Sequence, residues 1–335
     1  MKKSLLAVVA ALAMAGCSQN DLVDEIDNGG QISKKAEIGV NTVVKKGSRA
    51  AVMSNTDFTA FTLNAYIAEA SAIGTSGLGN AYMDGVQYQG GVNSWTTTTG
   101  TYYWPTAKMQ FFGYANGVTY TNPGATGYPS ISYTLPDESA NQKDIIVAYS
   151  KDVTKPSDNI LHLTFQHILT RINFAVKPLD ASYTYTIASI TITGAKGGEA
   201  KYTFGGNDGQ GGTWDITGTA PINGYNYSFD ATAVTPTDGI YDYTESVAKN
   251  SLMLYPQPLA GVKIIVKYKT EKNGGTFFDD SKEVALSGSW TNGQSIRYVL
   301  SLPVGAEEMS VETTLDTSWD ATNNSQEAVT PQPSN

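Results

Sequence analysis

Few residues in this chain have the chemistry that catalysis or metal binding needs. The 335 residues include only two histidines, His162 and His167, and one cysteine. Two histidines exclude a multi-histidine metal site. We expect His162 to lie on the surface and His167 to make a structural hydrogen bond. Asp279 and Asp280 would point to opposite faces of a strand, so a turn is the better interpretation than a catalytic pair. The sequence therefore predicts no catalytic residue, no metal site and no cofactor.

Glycine-rich and nucleophile motifs also fail to indicate an enzyme. No G-x-S-x-G signature of a nucleophilic hydrolase occurs in the sequence. The stretch Gly205–Gly212 is rich in glycine but fits neither a dinucleotide-binding nor a phosphate-binding loop. We interpret it as the loop of a hairpin, with weak calcium binding through Asp208 as the remaining alternative.

Composition favours a folded β protein that does not bind nucleic acid. The formal net charge is −9 and the sequence pI is near 4.8, so phosphate backbones would be repelled. Hydrophobic residues make up 41% of the chain, which is enough for a core. The 33 glycines and 20 tyrosines favour strands and turns over helices. A single cysteine cannot form an internal disulfide.

The amino terminus carries a targeting signal. Lys2 and Lys3 precede an apolar run, Leu5–Ala15, that is too short to span a bilayer. Small residues just before Cys17 resemble the lipobox of bacterial lipoproteins, although Met14 stands where leucine is usual. The resemblance implies a signal peptide over residues 1–16 and acylation of Cys17, which would anchor the protein to the outer membrane. An ordinary signal peptide with an unrelated cysteine is the alternative.

An acidic stretch follows Cys17, and the first predicted strands come after that stretch. Residues 17–35 are polar and indicate a tether, which loosely resembles the surface-export signals of some lipoproteins. Alternating apolar residues then begin at Ile38 and predict a first strand. Residues 71–100 are rich in glycine, serine, asparagine and threonine, so we expect a long surface connection. The segment Met109–Ala115 has aromatics on both faces and predicts a central strand.

A domain boundary is expected near the middle of the chain. The segment Lys151–Asn159 is rich in turn residues. Beyond it, apolar residues fall on odd positions up to Phe165 and on even positions from Ile168, so the strand pattern changes phase near His167. Such a change predicts a bulge or a break at that point.

Several short motifs, in order, resemble the fimbrillin (Mfa-like) family of type V pilus subunits. They comprise Phe61-Thr-Leu63-Asn-Ala65-Tyr66, Tyr103-Trp104-Pro105, Phe111-Phe112-Gly-Tyr114-Ala115, Phe165-Gln-His167-Ile-Leu169-Thr-Arg171-Ile172, Leu254-Tyr-Pro256-Gln257 and Trp290-Thr-Asn-Gly293-Gln-Ser-Ile296-Arg-Tyr298. The resemblance implies an all-β fold of two tandem transthyretin-like β-sandwich domains. We place these at residues 36–158 and 159–318, with a polar tail at 319–335.

The resemblance also implies a mechanism of assembly at the cell surface. An arginine- or lysine-specific protease would cut between Arg49 and Ala50, with Lys45 and Lys46 as lesser candidate sites. The cut would free the first strand, whose inward residues are Ile38, Val40 and Val44. The groove left behind would accept a strand from another pilin subunit. The predicted partners are thus other subunits, the membrane, the protease and a host or bacterial surface ligand.

The strand that such a subunit donates comes from the carboxyl terminus in the shaft subunits of the family. Met309, Val311, Thr313 and Leu315 alternate with polar residues, as an inserted strand requires. The alternative is that this segment is the last strand of the chain's own sheet. In that case the protein would be a tip or accessory subunit.

A surface lipoprotein that binds glycans without polymerising is the rival hypothesis. Sugar rings stack on exposed aromatics, and the expected surface connection contains Tyr82, Tyr88 and Trp95. Trp104 and Trp290 lie within the motifs above, and we expect both in the core. A glycosidase is a weaker alternative because no spaced pair of carboxylates can be named.

Overall fold

The structure is a computed structural model. It describes residues 35–45, 58–91, 94–115, 117–205, 212–222, 224–227, 233–234, 241–242, 251–315 and 328–329. Within these residues all regular structure is β apart from two single-turn 3₁₀ helices, Ala70–Ala72 and Ser139–Asn141. The all-β prediction is confirmed. No helix in these ranges is long and apolar enough to cross a membrane.

The strands are numbered in chain order. They are β1 Gly39–Lys45, β2 Ala60–Ile67, β3 Ala81–Gly91, β4 Ser94–Thr97, β5 Met109–Tyr114, β6 Thr119–Thr121, β7 Ser130–Leu135, β8 Ile146–Val153, β9 Ile160–His167, β10 Thr170–Pro178, β11 Thr184–Thr193, β12 Gly198–Thr203, β13 Thr213–Asp215, β14 Tyr225–Asn226, β15 Ala233–Val234, β16 Tyr241–Asp242, β17 Leu252–Leu254, β18 Lys263–Lys272, β19 Gly275–Ala285, β20 Ser295–Leu302, β21 Ser310–Leu315 and β22 Ala328–Val329.

The largest sheet, sheet I, has seven strands in the order β1-β9-β8-β5-β2-β3-β4. Its middle strand is β5, as the aromatic run predicted. Phe111 belongs to one core cluster and Phe112 to another, because neighbouring residues of a strand face opposite sides of the sheet. The Phe111 side of the sheet encloses a cluster of its own, here called the inner cluster, which also contains Phe61, Leu163 and Phe165.

Sheet II connects the two halves of the chain. Its order is β13-β12-β7-β6, so strands near residue 130 pair with strands near residue 200. Phe112 of sheet I meets Phe204, which follows β12, edge to face at 5.3 Å between ring centroids. Tyr255 donates from its hydroxyl to the carbonyl of Tyr133 on β7. These contacts join sheets I and II to the carboxyl-terminal strands in one continuous apolar cluster.

The carboxyl-terminal strands form two further sheets. Sheet III has the order β16-β10-β20-β21-β22 with β17 beside β10, and sheet IV has the order β14-β11-β18-β19 with β15 beside β11. Alternating apolar residues of β10, β20, β11 and β18 are buried together. Trp290 is buried as expected and donates from its indole nitrogen to the hydroxyl of Tyr298 at 2.9 Å. Burial raises the pKa of Tyr298 to about 12.

The phase change near His167 marks the point where the chain leaves one sheet for another. β9 ends at His167 in sheet I, and β10 begins at Thr170 in sheet III. The break is confirmed, but the position of the domain boundary needs correction. β9 lies beyond residue 158 and yet pairs with β1 and β8, so residue 158 does not separate the sheets. The tandem arrangement of two transthyretin-like sandwiches stays a prediction.

Two local predictions are wrong. The expected surface connection at residues 71–100 contains β3 and β4 of sheet I. Its alternation is interrupted because Asp84 and Gly85 both face solvent, at a bulge where the Gly85 amide donates to the Asn64 side chain. Asp279 and Asp280 lie on the exposed strand β19 and not in a turn. The hairpin expected around Gly205–Gly212 is supported, because β12 and β13 pair antiparallel on either side of it.

Candidate functional site

The first strand lies at one end of sheet I. β1 pairs parallel with β9 over seven residues, from Gly39 beside Ile160 to Lys45 beside Gln166. The pairing extends along the whole of β1, but β9 is the one strand that β1 neighbours in the order of sheet I. Within sheet I, β1 is therefore an end strand. Loss of β1 would expose the backbone groups of β9 to any extended chain of matching pattern.

The inward face of β1 covers the inner cluster. Ile38 is 6% exposed and Val44 is 2% exposed, while Val40 is partly buried against the same cluster. Val43, on the opposite face, is 60% exposed. The inward direction predicted for these apolar residues is confirmed. Thr42 completes the inward row at 1% exposure, although the apolar pattern by itself does not identify a threonine as buried.

The other side of β1 meets the far end of the same sheet. The Ile38 amide donates to the carbonyl of Tyr102 at 2.8 Å, and the Trp104 amide donates to the carbonyl of Ala36 at 2.9 Å. Trp95 on β4 donates from its indole nitrogen to the Thr42 hydroxyl at 2.9 Å. Sheet I therefore curls until its two end strands approach each other. We call the space that β1 fills, between β9 and the residues Trp95 and Tyr102–Trp104, the β1 groove.

Aromatic residues hold the wall of the β1 groove in place. Trp95 packs edge to face on Phe61 at 4.8 Å and lies 5.1 Å from the ring of Phe58. Phe61 stacks on Tyr88 at 5.0 Å with the rings nearly parallel. Phe165 of β9 meets Phe58 edge to face at 4.8 Å. The inner cluster thus extends from β9 to β4 beneath β1.

These contacts overturn the exposure expected for the candidate sugar-stacking residues. Tyr88 is only 4% exposed, and burial raises the pKa of its phenol. Trp95 is partly buried against the inner cluster, and Tyr82 donates from its hydroxyl to the Tyr103 carbonyl at 2.6 Å. The three side chains pack within sheet I and do not form an exposed platform. Trp104 is also packed against this cluster, as predicted.

The residues predicted for lipidation and cleavage lie outside the described part of the chain. This holds for Cys17, for Arg49 and Ala50, and for Lys46. Residues 46–57, which follow β1, contain the basic residues of the expected cleavage site and are likewise outside the described ranges. Lipidation and cleavage therefore stay predictions.

The candidate donor segment lies in the chain's own sheet III. β21 pairs antiparallel with β20, with Val311 beside Leu300 and Leu315 beside Ile296. Met309 is 5% exposed, Val311 is partly buried, and Leu315 is 42% exposed. The structure thus agrees with the own-sheet alternative for this copy of the chain. Donation to another copy stays a prediction.

The two histidines have structural surroundings. The His162 side chain is 62% exposed and lies 3.2 Å from Asp158, so the surface position is confirmed. The His167 side chain is 1% exposed, and its Nδ1 lies 2.7 Å from the carboxylate of Asp144. This pair ties the end of β9 to the residues before β8. Among the described residues, no group of three or more histidine, cysteine or acidic side chains is placed to hold a metal ion.

Comparison with known proteins bears directly on this architecture. The family model described as "Fimbrillin-like" matches residues 28–318. The chain belongs to the fimbrillin-like family. The match covers the described strands from β1 to β21, so it includes both the β1 groove and the candidate donor strand. The resemblance carried by the short motifs is confirmed.

The individual proteins that resemble this chain have low sequence identity to it. Fimbrium subunit Fim1C of Phocaeicola vulgatus is 28% identical over 220 residues, which are 58% of this chain and 56% of the relative. This chain therefore spans about half the length of that relative. The crystal structure of a fimbrial protein from Bacteroides vulgatus has a TM-score of 0.65 at 17% identity and covers 85% of this chain and 99% of that one. At that identity the structural likeness shows the fold alone.

Proposed function

We propose that this chain is a fimbrial subunit that is activated by removal of its first strand. The precursor would be held at the outer membrane by lipid on Cys17 and exposed at the cell surface. A protease specific for arginine or lysine would cut after Arg49 and release β1 together with the anchor. A strand from another subunit would then fill the β1 groove. The role is structural and adhesive, and it requires no cofactor.

The position of β1 carries this proposal. β1 is an end strand, it covers the inner cluster, and it is followed in the sequence by a segment that contains Lys46 and Arg49. Removal of β1 breaks no other strand, because β9 keeps its pairing with β8 on the far side. A strand buried in the middle of the sheet would not be removable in this way. The similarity to fimbrium subunit Fim1C supports the same function.

Energetics favour refilling of the groove. Full burial of an aliphatic side chain contributes about 1.5–3 kcal/mol. Ile38 and Val44 are both buried, so an empty groove would expose apolar surface worth about 3–6 kcal/mol from these two alone. Loss of β1 also leaves the edge of β9 unpaired, and an unpaired edge adds strands readily. The cut precursor is thus prepared to take up a strand of matching pattern.

Limited proteolysis of the full-length chain tests the proposal. We expect an arginine-specific protease to give a product that begins at Ala50, measured by intact mass and amino-terminal sequencing. Gel filtration should show that the released fragment separates from the remainder, and SDS-resistant ladders should appear on gels of unheated samples. A chain in which Arg49→Ala blocks the cut should remain intact and monomeric.

Arg297 provides an internal control for the position of the cut. Arg297 is 8% exposed within β20, so the protease should not reach it while the chain is folded. If the wild-type chain is cut after Arg49 but keeps β1 bound and remains monomeric, strand removal is not the activating step. The proposed function would then be wrong.

A further inference from the structure

A depression of about 300 Å³ lies over strands β2 and β3 of sheet I. The rings of Phe61 and Tyr88 belong to the inner cluster, so the residues that alternate with them face the opposite side of the sheet. Those residues include Thr62, Gln87 and Gln89, and all three line the depression. We call it the outer depression. It is separate from the β1 groove, because β1 covers the other side of sheet I.

The polar groups of the outer depression are amides and hydroxyls. Gln87 and Gln89 are both exposed and lie on the same face of β3, about 7 Å apart along the strand. Thr62 lies beside Gln87 on one neighbouring strand and beside Tyr114 on the other. Each of these four side chains can both donate and accept a hydrogen bond. Among the described residues that line the depression, none carries a charge.

Tyr114 is held firmly at the edge of the outer depression. Its ring stacks on Tyr120 at 5.3 Å between centroids, with the ring planes 8° apart. Its hydroxyl accepts from the Asn64 side-chain amide at 3.5 Å, and the Tyr120 hydroxyl lies 2.9 Å from that of Tyr66. Burial raises the pKa of Tyr114, so its hydroxyl keeps its proton at neutral pH. A ligand therefore meets a fixed side chain, and little conformational freedom is lost on binding.

Only side chains can recognise a ligand in the outer depression. β2 pairs with β5 and β3, and β3 pairs with β2 and β4, so the backbone beneath the depression already bonds within the sheet. An extended peptide could not add there as a strand. Beneath the sheet, Phe61 and Tyr88 stack at 5.0 Å and hold the two strands against each other. A ligand that bonds through many hydroxyls and needs no strand edge fits these conditions.

We propose that the outer depression binds a neutral sugar residue of a glycan. The amides of Gln87 and Gln89 bond to hydroxyls on either side of the sugar ring, and the Thr62 hydroxyl bonds to a third. Tyr114 and Val118 contact the apolar C–H groups of the ring. An ionised sugar is disfavoured, because it would lose hydration without meeting an opposite charge. The inference does not require removal of β1, so it is independent of the proposed function.

A single site of this size binds weakly. It makes few contacts, so we expect a Kd of about 1–10 mM for one monosaccharide glycoside. A polymer of subunits, as the proposed function describes, displays many copies of the site. Weak sites that are linked together bind far more tightly than each one alone. Weak binding by the single chain is therefore compatible with adhesion by the assembled fimbria.

Saturation-transfer NMR on the uncut, full-length chain tests for the ligand. The probes are the methyl glycosides of glucose, galactose, mannose and N-acetylglucosamine. We expect at least one of them to bind. The uronate of the same sugar, in which a carboxylate replaces the primary alcohol, is the matched ligand. It should bind about tenfold more weakly, because the described lining offers no cation.

Substitutions in the depression test the assigned residues. Gln87→Ala and Gln89→Ala should each weaken binding about fivefold to tenfold, because each removes hydrogen bonds to the sugar. Both side chains are exposed, so the thermal midpoint should change by less than about 2 °C. Asn141→Ala removes an exposed amide outside the depression and should leave binding unchanged.

Three results would overturn the inference. The first is that no neutral glycoside binds at about 50 mM, several times the expected Kd. The second is a glycoside that binds equally well to the wild type and to both glutamine variants, which would place the sugar elsewhere on the chain. The third is a signal from a short peptide of serine and threonine that the glutamine variants abolish, with no signal from any glycoside. None of these results bears on cutting after Arg49 or on uptake of a strand, so the proposed function is tested separately.

Discussion

The Thr42 hydroxyl accepts a 2.9 Å hydrogen bond from the indole nitrogen of Trp95, and this bond joins the first and last strands of a seven-stranded sheet. Together with the backbone bonds between residues 36–38 and 102–104, it closes the sheet over its inner cluster. β1 is therefore held from both sides, by β9 through its backbone and by Trp95 through one side chain.

In the intact chain, Thr42→Val should lower the free energy of unfolding by about 1–3 kcal/mol, because it leaves the Trp95 donor buried and unpaired. In a Trp95→Phe background the same substitution should cost much less. Urea denaturation of the four proteins gives this coupling as a double-mutant cycle. Val43→Thr, at a solvent-facing position, is the control and should change stability by less than about 0.5 kcal/mol. Additive effects would show that the hydrogen bond does not hold β1.

Gly113 of β5 should not tolerate a side chain, because a Cβ there would lie 2.9 Å from the Phe165 ring and 3.5 Å from Ala148. We expect Gly113→Ala to destabilise the chain by about 1–3 kcal/mol through overpacking of the inner cluster. Gly91→Ala is the control, since a Cβ at that position would have no neighbour within 4 Å and the backbone there is not left-handed. Thermal unfolding of both variants makes the comparison. Equal stability would mean that the inner cluster is loosely packed under β5.

Asp152 should make stability depend on pH in the acid range. Its carboxylate accepts from the Ala70 amide at 2.7 Å and from Gln110 at 2.8 Å, and these bonds, the Ala70 bond foremost, hold its pKa below the ordinary value of 3.8. A lowered pKa stabilises the folded state above pH 3.8 and loses that contribution as the pH falls through the folded value. Asp152→Asn should therefore be less stable than wild type at pH 7, and the gap should narrow below pH 3.8.

Asparagine is the appropriate replacement because residue 152 has a φ of 51°, which asparagine adopts more readily than most residues. Asp279→Asn removes the same charge from an exposed strand and controls for net charge. Denaturation midpoints at a series of pH values provide the measurement. A stability gap that stays constant across the acid range would contradict the role assigned to the Asp152 carboxylate.

The sequence was informative where apolar residues alternate without interruption. β1 was located with the correct inward face, because a period of two is a direct consequence of the pleated backbone. β5 was located differently, by the aromatic residues on both of its faces. The sequence pattern was misleading where one residue changed the phase of the apolar alternation. The bulge at Gly85 puts two successive residues of β3 on the solvent side, so the composition of this segment indicated a surface connection where a strand carries Tyr88 and leads to Trp95.

Trp95 shows why the candidate site could not be found from sequence alone. Its partner Thr42 is 53 residues away, and the two meet only because sheet I curls until its end strands approach. The exposure of an aromatic residue depends on what covers it, and local composition does not report distant neighbours. The same holds for β9, which lies beyond a turn-rich segment in the sequence but pairs with β1 in the fold.

Local pattern by itself determined the β class, the central strand β5, the inward face of β1 and the family, because backbone geometry and short motifs act over a few residues. Only the tertiary structure decided that β1 ends a sheet, that β9 is its neighbour, and that Trp95 faces Thr42. Those relations depend on the order in which distant strands pair, and many orders satisfy the same alternation.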